Sequence, residues 1–195
     1  MEWATLILRY AHVFFAVLWT SLALAVVLLL GPSLMALGPP ERKLVQLQLL
    51  PRQLGLAALA SLGTVLTGLL QMQQMYLGEA GFGLMNDRGY WLLVGAGLGL
   101  SAFLMALLVM MPTAKRIEAT LKGDGDPAQL PVLGGKMAKF GRVVMMHLIE
   151  TLACMLLASH ALLAFSAGNV IGVLLGAGAL GYGLIFFSGR LGPKA

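Results

Sequence analysis

Residues 138–165, AKFGRVVMMHLIETLACMLLASHALLAF, decide what kind of protein this is. The run is long and apolar enough to cross a bilayer, which takes about 20 residues, yet it carries His147, Glu150, Cys154 and His160. An ionisable side chain at membrane depth is costly, so each is a functional-site candidate for which a partner should be sought. The chain has 3 histidines and 1 cysteine in all, so this one stretch holds most of its ligand chemistry.

Beyond that run the same pattern recurs. Of 195 residues 59% are hydrophobic and 11% charged, a balance that excludes an ordinary soluble domain and predicts an all-α integral membrane protein. We expect one membrane domain over residues 1–195, with spans near 5–30, 54–77, 90–111, 138–165 and 170–187 and a polar loop over 112–137. Gly31-Pro32 and Gly38-Pro39-Pro40 are expected to terminate the first span and Pro112 the third, and Ser166-Ala167-Gly168-Asn169 to make a tight turn between the last two. The first span is too long for the apolar core of a secretory signal and lacks a basic leader, so it is read as a retained span.

Lys and Arg fall almost wholly on one side of these spans. That side receives Arg42, Lys43, Arg52, Lys115, Arg116, Lys122, Lys136, Lys139, Arg142, Arg190 and Lys194; the other receives Arg9 and Arg88. By the positive-inside rule the basic side is cytoplasmic and the N-terminus is outside, as expected of a multi-pass protein of a bacterial inner membrane. Trp3, Tyr90 and Trp91 are then expected at the outer interface. The basic excess sets topology and is not a nucleic-acid footprint. A single cysteine excludes an internal disulfide, a c-type haem attachment pair and an all-cysteine metal site.

His12 lies about 10 Å inward from the outer end of the first span, and His160 about 8 Å from the same surface on the fourth. Two imidazoles at one depth in a helical bundle suit a six-coordinate b-type haem. Arg9, one turn outward of His12, is placed to meet a propionate, with Phe15 and Trp19 continuing the face as an aromatic wall. A hydrogen bond to a neighbouring helix would satisfy His12 equally, and a snorkelling role Arg9. His147, Glu150, Thr151, Cys154 and Ala158 share a second face, a semi-polar stripe able to carry protons or hold a quinone headgroup, or simply to pair internally. Met72 and Met75 have the spacing of a thioether copper site, while methionine at helical spacing also serves as adaptable packing. Gly95 with Gly99, and Gly172 with Gly176, followed by Gly178, Gly181 and Gly183, make small-residue faces for packing inside one bundle or against another subunit.

Several short motifs carry a family resemblance. Leu8-Arg9-Tyr10-Ala11-His12 with Leu18-Trp19-Thr20, Pro51-Arg52 with Leu66-Thr67-Gly68-Leu69-Leu70, Val109-Met110-Met111-Pro112 before Lys115-Arg116-Ile117, and Ala138-Lys139-Phe140-Gly141-Arg142 before Ala158-Ser159-His160 form the set. Together they resemble the membrane domain at the N-terminus of cytochrome c-linked urate oxidases. More faintly they resemble copper-resistance D proteins and membrane-type protoporphyrinogen oxidases. The resemblance implies a small bundle with histidines at His12 and His160 engaged with haem. Two positions depart from the pattern: Trp-x-Gly reads Trp19-Thr20-Ser21, and Arg-Ile-Asn reads Arg142-Val143-Val144. The cytochrome c domain of the full-length oxidases does not follow in this sequence, so urate oxidation by this chain alone is not expected.

The expectation is therefore a five-helix bundle, a four-helix haem-binding-like core plus a Gly-rich fifth helix. Its expected role is a cytochrome b-like electron-transfer subunit holding haem b between the first and fourth helices and not an enzyme alone. Membrane lipid, other membrane subunits or a periplasmic carrier such as cytochrome c would be its partners. A cofactor-free accessory subunit of a larger respiratory or photosynthetic complex, and a copper-binding or transport protein, are the alternatives.

Overall fold

Proline removes an amide donor and crowds the carbonyl four residues back, so a helix that runs through one is disfavoured unless it kinks or rearranges locally. The computed structural model, which describes residues 2–74, 85–160 and 163–191, shows that rearrangement twice. Helix α1 (Glu2–Leu24) widens into a single π-type turn (Ala25–Leu30), closed by the Gly31 N–H on the Val26 carbonyl, and continues through Pro32 as α2 (Gly31–Ala36). Helix α4 (Asp87–Met105) does the same over Ala106–Met110, where the Met111 N–H bonds the Ala106 carbonyl, and continues through Pro112 as α5 (Met111–Lys122). The widened turn moves the crowded carbonyl aside, so neither proline ends its helix as the sequence led us to expect.

The remaining helices are α3 (Pro39–Met72), α6 (Leu130–His160) and α7 (Ala167–Leu191); α3 carries Pro51 without a widened turn. Among the described residues five continuous helical stretches, Trp3–Ala36, Pro39–Met72, Asp87–Lys122, Pro127–His160 and Ala167–Arg190, are long and apolar enough to cross a membrane, and the chain is a multi-pass membrane protein. The first four are 34 to 36 residues long, or roughly 50 Å at about 1.5 Å per residue, against about 30 Å of hydrocarbon. They therefore continue as helices beyond the bilayer core on the basic side. The stretch 112–137, expected as a loop, is helical apart from the turn around Gly123 to Asp126 and a 3-10 turn at Pro127–Gln129.

That extension has its own core. Helix α5 buries Thr113, Ala114, Ile117, Thr120 and Leu121, one helical face, and Ile117 and Leu121 pack with Leu133, backed by Leu47 and Leu50. Gly123 ends α5 at φ 105°, and the Asp124 N–H closes back on the Ala119 carbonyl at 2.9 Å. Nothing lies within 4 Å of a Cβ built on Gly123, so Gly123→Ala tests backbone strain alone. We expect it to cost about 1 kcal/mol, read as a lowered unfolding midpoint in detergent; an unchanged midpoint would show that the turn relaxes freely.

Within the membrane the bundle is two hairpins and a fifth helix. Along the α1/α3 seam, large side chains of α1 sit on small residues of α3: His12 against Gly68, Phe15 against Gly63, and Trp19 with the fully buried Ala60. Along α4/α6, Cys154 and Thr151 sit on Gly95 and Gly99. Trp19, Ala60, Ala102, Val144 and Leu148 join the two hairpins. Trp91, expected at the interface, is instead fully buried with Cys154 and Ala158, its indole N–H donating to the Leu163 carbonyl at 2.9 Å. The fifth helix divides its glycines. Gly178 and Gly181 receive Met146 and Ile149 of α6, whereas a Cβ on Gly172, Gly176 or Gly183 would meet no described neighbour within 4 Å.

Candidate functional site

His12 is held by α3. Its Nδ1 lies 3.1 Å from the Thr64 carbonyl oxygen and 3.1 Å from the Thr67 hydroxyl oxygen. A carbonyl can only accept, so Nδ1 must carry the proton. The Thr67 hydroxyl directs its own proton to the Gly63 carbonyl at 2.6 Å, which leaves a lone pair free to accept from the same Nδ1–H. In the neutral ring the basic lone pair then resides on Nε2. This is the arrangement that fixes the tautomer and orientation of a metal-ligating histidine, where the far nitrogen is tied to a carbonyl and the near one faces the metal. One turn outward, Gln71 Nε2 donates to the Leu8 carbonyl at 3.2 Å and locks the same seam.

Phe15 and Trp19, expected as an aromatic wall beside His12, pack toward α3 and the bundle core. A Cβ on Gly63 would lie 2.6 Å from the Phe15 ring, and Trp19 is 4% exposed inside the bundle core. Arg9 is exposed one turn outward of His12.

His160 stands elsewhere. It is the last residue of α6 and exposed, with no hydrogen bond among the described residues. Val144 and Leu148 mark the face of α6 that meets Trp19 of α1. At about 100° per residue, His160 lies roughly 120° to 160° around the helix from that face. Equal depth, which the sequence indicated, does not bring the two imidazoles together, because rotation about α6 turns one of them away.

The second predicted stripe is split between neighbours. Thr151 faces α4, its hydroxyl 3.4 Å from the Gly95 carbonyl, and Cys154 is fully buried on the same side. Glu150 lies toward α7, near Gly178, and within electrostatic range of His147. His147 donates its Nδ1–H to the Val143 carbonyl at 3.1 Å, one turn back on its own helix. His147 and Glu150 are both half-buried. Met75 lies outside the described residues, so the proposed thioether pair is represented only by the half-buried Met72. Among the described residues no group of three or more His, Cys, Asp or Glu side chains converges as a metal site.

Thr64 was not singled out from the sequence, and Thr67 only as part of a family motif, although a signal was present. Thr64, Thr67 and Gln71 recur at helical spacing in an otherwise apolar span, a polar stripe that asks for a partner. No protein-family model, curated protein or solved structure matches the chain.

Proposed function

We propose that the chain is a membrane redox subunit of the cytochrome b kind that ligates haem iron through His12. The observation that supports this is the tie from His12 Nδ1 to the Thr64 carbonyl and Thr67 hydroxyl, which prepares Nε2 as a ligand at a fixed ring orientation. His12 fits the group; His160, turned to another side of its helix, does not fit as its partner. The reading is therefore of iron with one ligand from this chain, the proximal-histidine kind of haem. Bound haem would supply a one-electron couple. The protein's own part is to hold the imidazole, to exclude water with Phe15 and the α1/α3 seam, and to offer Arg9 to a propionate near the headgroups. By charge asymmetry the site lies toward the periplasmic face of a bacterial inner membrane. A periplasmic carrier such as cytochrome c, or a neighbouring membrane subunit, would exchange the electron.

A second reading is favoured by a separate observation. Gly172, Gly176 and Gly183 leave a smooth strip on α7, as an accessory subunit packing against a larger complex would have, and His12 would then be satisfied by α3 alone. A reduced-minus-oxidised spectrum with a pyridine haemochrome assay on protein from haem-replete cells separates the two. Stoichiometric b-type haem with high-spin character is expected. A folded, haem-free preparation would overturn the redox proposal and leave the accessory role.

A further inference from the structure

On the basic side of the bundle, far from His12 along α1, two cavities adjoin. The inner one, about 300 Å³, is walled almost entirely by apolar side chains, with Trp19, Phe103, Ala57 and Leu54 among them. The outer one, about 500 Å³, carries Arg42, Arg142, Gln46 and Ser188. They share Val26, Val27, Leu50, Gln53, Met110 and Gly141, so one leads into the other. Both volumes are in the range of small-molecule sites.

The backbone features that set this space apart all border it. Val26 and Val27 belong to the first widened turn and Met110 to the second. Such turns are frequent at functional sites. Opposite them a Cβ on Gly141 would come 3.6 Å from Val27 Cγ2 and 3.7 Å from Met110 Cε, so glycine there keeps the passage between the cavities clear.

The outer cavity is also unbalanced in charge. Its lining holds two arginines and no acidic side chain. The Arg42 guanidinium donates to the Met35 and Leu37 carbonyls at 3.1 and 2.8 Å, closing the end of α2, while its Nε is buried with no hydrogen-bond partner. Arg142 is exposed and has no described ion pair. A buried N–H without an acceptor is costly, and a charge-assisted bond to an anion would satisfy it.

From this geometry we infer that the paired cavities bind an anionic amphiphile, with a carboxylate or phosphate head at Arg42 and Arg142 and a single hydrocarbon chain extending past Gly141 toward Trp19. The site is independent of the haem proposal, on the opposite side of the membrane. A neutral headgroup would leave both guanidinium groups uncompensated.

Trp19 supplies the readout. The full chain in phosphatidylcholine nanodiscs is titrated with dibromostearate, dibromostearyl phosphate and dibromostearyl alcohol, which quench tryptophan emission on contact. Saturable quenching by the anions is expected, with the quenched component absent in Trp19→Phe. The tighter of the two anions identifies the headgroup. Arg142→Gln, an exposed position with little bearing on folding, is expected to weaken anion binding about tenfold or more and to leave the alcohol unaffected. Gly141→Leu, which narrows the passage, is expected to abolish Trp19 quenching by all three. Equal affinity for the alcohol, or anion binding unchanged in Arg142→Gln, would overturn the assignment of the head. Quenching of Trp19 unchanged in a folded Gly141→Leu protein would overturn the assignment of the chain.

Discussion

If His12 ligates haem as proposed, its replacement by alanine is expected to remove the haem spectrum entirely, while His160→Ala leaves it intact. The asymmetry follows from the two environments. His12 is oriented by a carbonyl and a hydroxyl of α3, each 3.1 Å from Nδ1, whereas His160 is exposed at the end of α6 with no described hydrogen bond. Removing the ring removes the proposed ligand; removing one of its supports should do less. Thr67→Val keeps the Thr64 carbonyl and is expected to retain haem at about 10-fold to 100-fold lower affinity, the usual effect of losing an outer-shell partner. Gly68→Val acts sterically from the same helix, because a Cβ there would already stand 2.9 Å from His12 Cε1 and the ring would have to rotate. Spectral titration with haem across these variants checks the series. Loss of the spectrum in His160→Ala, with His12→Ala unaffected, would show that the ligand is on α6 and overturn the assignment.

The largest effect on stability is expected from Trp91→Ala. Trp91 is fully buried, packs edge-on against Phe165 at 5.5 Å and 81°, and donates its indole N–H to the Leu163 carbonyl. It thereby fixes the short connection between α6 and α7 to the body of the bundle. Truncation leaves a large void and an unpaired carbonyl, and large-to-small changes of aromatic residues cost about 3–5 kcal/mol. Trp91→Phe retains most of the volume and loses the donor, so it should cost about 1 kcal/mol. Thermal unfolding in mild detergent, followed by circular dichroism, checks the order. Equal midpoints for Trp91→Ala and wild type would mean that the connection between the helices is held by something other than this side chain.

How far each conclusion could be reached without coordinates depends on the residue. The glycines show the limit clearly. Their spacing announced close-packed faces, and Gly95, Gly99, Gly178 and Gly181 do receive side chains of α6. Nothing in that spacing separates them from Gly172 and Gly176, which face no described neighbour, because which turn of α7 overlies α6 is set by the length and path of the connection. Pro32 and Pro112 show another limit. As isolated residues they signal helix ends, yet here each follows a widened turn that absorbs its missing donor, and the helix continues. Thr64 and Thr67 were legible as a polar stripe but not as partners of His12, since that requires knowing which face of α1 meets α3.

Composition and periodicity were enough to establish a helical bundle with five membrane-crossing helices and its basic residues gathered on one side. The hydrocarbon core has a fixed thickness and a high cost for charge, and both leave their mark in the length and composition of each run. Coordinates were needed to learn that His12 faces α3 while His160 turns away, that Trp91 belongs to the core, and that two arginines open onto an apolar cavity. These depend on the rotation of each helix about its own axis, and packing between helices, not the composition of any one of them, fixes that rotation.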